Sequence, residues 1–404
     1  MNVTVNNREG VVTLTLCGRL DTSVAAQTMA EIDRLLAANS QLTAPGTQLV
    51  CDLAGVDYIS SSGLRIMLSL AKRYKNFRLV EVQPAVYDVF AMTGFSKIMT
   101  VEKALRRLNI DGCEVIGQGG VGTVYRIGDD TILKVFREGT TISEVNHEIT
   151  MAKEAFVLGM PTAISFDTVR VGNQYGLVYE LLRADTLSAC IRRQPERIDE
   201  FAQSYANLFR QLHAIEVPTV GNAIPNAMEN ELKAIHAISR YFDAPSVDLL
   251  LRIAENIPQG HRLLHCDLQT KNAMIQGGEL MLIDMGEVGY GHPLIDLAHS
   301  YSAMMTLVGD YEAIVGLPKA YANDVWQRMI GCYFEGEPAD VVAHRKEQIA
   351  VASVVRNFSW LSLSDSFPEA VVSECQQVFS ERVAKRKDYL LGVSATFGDW
   401  EVKE

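Results

Sequence analysis

The stretch that decides how this chain is read runs Leu263-Leu264-His265-Cys266-Asp267-Leu268-Gln269-Thr270-Lys271-Asn272, then Ala273-Met274-Ile275-Gln276-Gly277-Gly278-Glu279-Leu280-Met281-Leu282-Ile283-Asp284-Met285-Gly286-Glu287. Short apolar runs on either side of a Gly-Gly pair spell a β-hairpin. Asp267 and Asn272 stand before it and Asp284 after it. Two carboxylates and an amide thus leave the two ends of one hairpin and converge on one spot.

Such a group suits phosphoryl transfer. Asp267 accepts the proton of an attacking hydroxyl or orients it, while Asn272 and Asp284 offer hard oxygen ligands to magnesium. Upstream, Gly117-Gln118-Gly119-Gly120-Val121-Gly122-Thr123-Val124 fits G-x-G-x-x-G-x-V. Glycines at Gly117, Gly119, Gly120 and Gly122 let the backbone approach phosphate oxygens. A dinucleotide site with the same string opens a helix, whereas here Thr123-Val124-Tyr125 continues as a strand. Lys134 lies in the apolar strand Ile132-Leu133-Lys134-Val135-Phe136, and a buried ammonium needs a partner. Glu148, in a helix predicted over about 142–158, is the best candidate for holding Lys134 toward the α- and β-phosphates; Glu144 and Glu154 compete for the place.

On these residues, 113–300 resembles the protein-kinase-like superfamily, and within it the aminoglycoside and choline phosphotransferase branch, the APH family. The resemblance implies a bilobal α+β kinase-like fold with ATP and Mg2+ as cofactors. Its N-lobe spans about 113–182 and its C-lobe about 183–404. It implies that Tyr179-Glu180-Leu181-Leu182 is the hinge, with the backbone of Glu180 and Leu182 on the adenine, and that Asp296 braces the catalytic loop. His213 is expected to be a packing residue. Cys266 stands where protein kinases usually carry arginine and phosphotransferases often glycine, and Met285 replaces the usual aromatic. The short interval from Asp284 to Pro293 and Asp296 leaves no room for a long activation loop, which favours a small-molecule acceptor.

Residues 1–108 alternate strands and helices: Val12, Leu14 and Leu16 with period two, then Ala25, Met29, Ile32 and Leu36 at helical spacing. A strand over Gln48–Leu53, then Tyr58-Ile59, leads to a helix with Leu64, Leu68 and Ala71 on one face. A strand over Phe77–Val82 and a helix from Pro84 to Gly94 follow. Gly18-Arg19-Leu20-Asp21, Asp52-Leu53 and Ser60-Ser61-Ser62-Gly63-Leu64 make this segment resemble STAS domains, the α/β fold of anti-sigma factor antagonists. The resemblance implies that Ser62 is the position of phosphorylation by a partner kinase, with Ser60 in place of the usual acid. At the start of a helix a phosphate meets the positive end of the dipole; an ordinary N-cap is the alternative role. Asn109-Ile110-Asp111-Gly112 is the expected linker between the domain at 1–108 and that at 113–404.

Composition sets the frame. With 48% apolar and 21% charged residues the chain is built to fold. A net charge of −12 argues against nucleic acid or anionic membrane as partner. The seven cysteines are scattered without a C-x-x-C pair, which reads as reduced thiols in a cytoplasmic protein. No basic leader and no long apolar run is visible. The expected activity is transfer of the γ-phosphate of ATP to a hydroxyl of a small molecule, with the STAS domain regulating or recruiting a partner. The alternative is a partner-switching protein whose kinase domain phosphorylates Ser62 or a serine of another protein. A non-catalytic nucleotide-binding scaffold is the third reading.

Overall fold

The structure is a computed structural model that describes residues 1–8, 11–38, 48–307, 310–363 and 367–400. The chain divides into two units, Met1–Leu108 and Asn109–Glu404.

The front unit is built on β1 (Asn2–Arg8), β2 (Val11–Leu20), α1 (Thr22–Ala37), β3 (Gln48–Ile59), α2 (Ser61–Arg73), β4 (Phe77–Val82), α3 (Pro84–Met92) and β5 (Thr100–Lys103). The sheet runs in that strand order, with β1 antiparallel to β2 and the rest parallel. Val12, Leu14, Leu16 and Leu20 of β2 are buried, as the period-two pattern requires. Asp21 starts α1 by accepting the N–H groups of Ser23 and Val24. Three sequence expectations shift. The segments around Gln48 and Tyr58 are one strand, and β1 and β5 were not foreseen. In α2 the buried stripe is Leu64, Ile66, Met67 and Leu70, with Leu68 and Ala71 only partly covered. This helix packs against α1 as well as the sheet, so its covered face is wider than one stripe.

The rear unit begins with an antiparallel array of β6 (Glu114–Gln118), β7 (Gly122–Arg126), β8 (Thr131–Phe136), β9 (Ser165–Val171) and β10 (Gln174–Glu180), ordered β9-β10-β8-β7-β6. Helix α4 (Ile142–Val157) interrupts it, opened by a capping box between Thr141 and Glu144. The segment before β6 is a tight turn, with the Asp111 N–H on Asn109 Oδ1 at 2.9 Å.

The second half is helical around α5 (Ile198–Ala214), α6 (Ala227–Ala237), α7 (Pro293–Tyr301), α8 (Lys319–Tyr333) and α9 (Ala339–Ser359). Two small ladders are set among these helices. β11 (Arg262–Leu264) pairs with β14 (Gly289–Gly291), and β12 (Ala273–Gln276) with β13 (Glu279–Leu282). The second is a hairpin turned by Gly277 and Gly278, whose φ values of 62° and 92° suit the tight primed turn that glycine permits. One loop, 265–272, leaves β11 and enters β12; the other, 283–288, leaves β13 and enters β14. Both therefore span the same two ladders and lie side by side.

In α2, a Cβ on Gly63 would stand 2.7 Å from Ile59 Cγ1 and 2.8 Å from Leu20 Cγ. Overpacking of this kind costs about 1–3 kcal/mol, more than the ~1 kcal/mol that alanine returns in helix propensity. Gly63→Ala should lower the unfolding free energy of the front unit by about 1–2 kcal/mol. Hydrogen exchange of its sheet amides in the full-length protein checks this, and unchanged protection would refute it.

Candidate active site

Lys134 sits mid-strand in β8, opposite Val124 and Leu177, with its side chain 13% exposed. Its ammonium lies 2.7 Å from Glu148 Oε1 and 3.0 Å from Asp284 Oδ1. Burial favours the neutral amine, but Asp284 and Glu148 outweigh it and raise the lysine above its ordinary value. The competing glutamate Glu144 is committed to the cap of α4. Glu148 is buried and takes a second donor on the same oxygen, the Tyr179 hydroxyl at 3.0 Å. The neighbouring His147 donates Nε2–H to the Gly286 carbonyl at 3.2 Å, tying α4 to the turn after Asp284.

Asp267 is half-buried, and Asn272 Nδ2 donates to both its Oδ2 (2.8 Å) and its carbonyl (2.9 Å). With both amide hydrogens so used, the oxygen of Asn272 is left for another partner. The Ile283 N–H bonds to the Asn272 carbonyl at 3.0 Å, and His265 Nε2 to the Ile283 carbonyl at 3.2 Å, so the two loops are cross-linked. Burial pushes the Asp267 carboxyl up to about 7, with Glu287 adding, Arg356 opposing and Asp284 adding again. For Asp284 burial also acts upward, but Lys134 prevails and the group ends below the ordinary carboxylate value. Lys134, Glu148, Asp267, Asn272 and Asp284 are thus brought together.

The glycines serve different ends. A Cβ on Gly122 would fall 2.1 Å from the Val135 carbonyl, so this glycine lets β7 lie against β8. Gly119 and Gly120 have open space where a side chain would be, and Gly117 has only ordinary contact with Val124. At the hinge the N–H of Glu180 is taken by Ile164 O (3.0 Å) and that of Leu181 by Asp130 O (2.9 Å). An adenine contact at Glu180 is thereby limited to its carbonyl, while Leu182 is buried beside it. In the front unit Ser60, not Ser62, caps α2, accepting the Gly63 N–H; Ser62 is the second residue of the helix and partly exposed. The N-cap role weighed for Ser62 therefore falls to its neighbour.

Behind the loop at 265–272 stands a set of buried side chains that the sequence showed only in part. Asp296 accepts the N–H groups of His265 (3.2 Å) and Cys266 (2.8 Å). His213, expected only to pack, also bonds Asp296 Oδ2 (3.3 Å) and the Tyr333 hydroxyl (2.8 Å). His299 places Nδ1 on the Cys266 carbonyl (2.8 Å) and Nε2 on Glu231 (3.1 Å), both acceptors, so its ring donates from both nitrogens. His299 follows Asp296 by three residues on α7, a spacing that puts both on one face and was legible. Glu231, far away on α6, carried no signal.

Glu231 opposes its burial through His299, which brings its carboxyl down from 4.5 to about 2. A lowered folded-state pKa means stability that is present in full above pH 4.5 and lost as pH falls toward 2. That difference corresponds to about 3 kcal/mol. Glu231→Gln should therefore melt well below the parent at pH 7, with the gap narrowing under pH 4.5 and closing near pH 2. A gap independent of pH would show that Glu231 acts by shape alone.

Comparison with known proteins places both units. Residues 112–332 match the model of the phosphotransferase enzyme family, APH, and residues 2–108 that of the STAS domain. BtrV of Bordetella bronchiseptica, described as an anti-sigma factor antagonist, is 35% identical over 105 residues, 25% of this chain and 85% of that protein. Among solved structures, an ethanolamine kinase of Plasmodium vivax is 14% identical with a TM-score of 0.48, covering 81% of this chain and 95% of the other. A choline/ethanolamine kinase family protein of Mesorhizobium loti is 15% identical with a TM-score of 0.46, covering 70% and 92%. Overlays this loose add nothing to the family matches. Among the described residues no helix is long and apolar enough to cross a membrane. By the model that matches more than half of its length, the chain belongs to the APH phosphotransferase enzyme family, and it carries a STAS domain ahead of the phosphotransferase domain.

Proposed function

We propose that the rear unit transfers the γ-phosphate of ATP to a hydroxyl group of a small molecule, and that the front unit regulates it or recruits a protein partner. The observation that carries this reading is Lys134 bridging Glu148 and Asp284 beside the Asp267–Asn272 pair. Glu148 holds the Lys134 ammonium against the α- and β-phosphates. Gly117, Gly119, Gly120 and Gly122 carry the flap over the triphosphate; the Gly119 N–H is taken by the Gly122 carbonyl at 2.9 Å, and the space left open at Gly120 lets a phosphate approach the backbone there. The Glu180 carbonyl and the Leu182 backbone meet the adenine edge.

The donors fit magnesium. The free amide oxygen of Asn272 and the carboxylate of Asp284, 39% exposed, are hard ligands. Two protein ligands suffice for an ion that otherwise keeps waters and phosphate oxygens. When bound, it neutralises charge on the transferring phosphate. Asp267 orients the acceptor hydroxyl and receives its proton, and a carboxyl raised by burial is a better base than an exposed one. Asn272 holds Asp267 by one hydrogen bond to its carboxylate and one to its carbonyl, and Gln269 Nε2 stands 3.4 Å from both carboxylate oxygens, so the group is oriented from two sides.

Asp267→Asn removes the proton acceptor with little change of shape. ADP release by the full-length protein, screened against a panel of hydroxyl metabolites, should fall by about 10²–10⁴-fold on the active acceptor. Binding of Mg-ADP by calorimetry should stay within about twofold. Full turnover in the variant would remove Asp267 from the chemistry.

A second reading is favoured by one observation: Ser62 lies in the first turn of α2, is itself partly exposed, and has the cap role filled by Ser60. There a phosphate is tolerated by the helix dipole. On this reading the kinase domain marks Ser62, or a serine of another protein. Incubation with γ-labelled ATP should label the wild type and leave Ser62→Ala unlabelled; label that persists in the variant, or never appears while a small acceptor turns over, excludes Ser62 as the target.

A further inference from the structure

The Lys134–Glu148 pair is held by a third side chain. Tyr179 stands on β10 next to Ile132 of β8, one residue before the hinge carbonyl of Glu180. Its ring packs against buried side chains of the hydrophobic clusters in both halves of the unit. Its hydroxyl reaches Glu148 Oε1 at 3.0 Å, the oxygen that also receives Lys134 Nζ at 2.7 Å. Glu148 is 6% exposed, so its charge leans on donors from the protein. Lys134 meanwhile divides its hydrogens between Glu148 and Asp284.

A buried carboxylate with one shared cation as its only partner is poorly compensated. A charge-assisted bond from a fixed phenol, set on a strand, adds a donor that the arrival of a triphosphate does not draw away. We infer that Tyr179 is a positioning residue for nucleotide phosphates: its hydroxyl fixes Glu148, and through Glu148 the angle at which Lys134 meets the α- and β-phosphates. Burial and the adjacent Glu148 keep the phenol protonated and hence a donor. The Tyr179 hydroxyl and Glu148 are not among the groups given to the adenine edge or to the acceptor. The effect is therefore confined to ligands that carry phosphate.

This rests on the kinase reading, and the test separates the two. Calorimetric titrations of wild type and Tyr179→Phe with Mg-ADP, and competition with adenosine, are the measurement. Loss of one hydrogen bond to a charged group should weaken Mg-ADP roughly tenfold. Adenosine should change by less than about twofold, because the ring that packs remains. Glu148→Gln should produce a phosphate-selective loss in the same sense, and Tyr179→Phe added to it should cost little more. Equal affinity of Tyr179→Phe and wild type for Mg-ADP overturns the inference. So does a loss shared equally by adenosine, which marks a packing role alone. A wild type that binds no Mg-ADP overturns the kinase reading itself, and with it the role given to Tyr179.

Discussion

One ammonium answers for two carboxylates. Lys134 lies between Glu148, carried by α4, and Asp284, carried by the loop after β13, and the three are separated by up to 150 positions in the chain. Glu148 is 6% exposed, so separating the lysine from it would leave a charge with nowhere to go. This constraint fixes α4 against the strands, and the strands against the two loops. The bond from the adjacent His147 to the Gly286 carbonyl repeats the tie. The group remains one positive charge short, which on the proposed reading is the place a bound cation fills.

The loop that carries Asp267 is held by a different device. Cys266 and Asp284 adopt φ of 62° and 67°, left-handed values that a residue with a Cβ adopts at a cost of order 1 kcal/mol. Asp296 and His299 offset that cost at Cys266 by gripping its N–H and its carbonyl from the same helix. This also accounts for the glycine often found at that place among related enzymes, since glycine reaches φ near +60° freely. The cysteine here is buried and braced from behind, so its departure from glycine leaves the loop path intact.

What was legible follows from what is local. The hairpin, the glycine flap, the lysine strand and the start of α4 are written in neighbouring residues, and the convergence of Asp267, Asn272 and Asp284 follows from a turn two residues long. The choice of Glu148 over Glu144 became clear only from the capping box, a three-residue contact visible in the sequence once the helix start is placed. Tyr179, Glu231 and Arg356 were silent. Each meets its partner across 31 to 69 positions, and nothing in a tyrosine on a strand or a glutamate on a helix tells which distant group it faces. In the front unit the alternation of β2 was plain, whereas the edge strand β5 is four residues long and has no periodicity to read.

The setting of Asp267 extends into the least familiar part of the chain. Arg356, on α9, pairs with Glu287 at 2.6 Å, and Glu287 is the largest carboxylate influence that raises Asp267. The family match ends at residue 332, so this arginine comes from beyond it. Removing Arg356 would leave Glu287 partly buried and unpaired three residues after Asp284, and both the loop and the ionisation of Asp267 would answer to it. The family match therefore spans the loop that holds Asp267, while the charge balance around its base is set by a helix that the match does not reach. On the proposed reading, a change at Arg356 reaches Asp267 through Glu287, from a helix far along the chain.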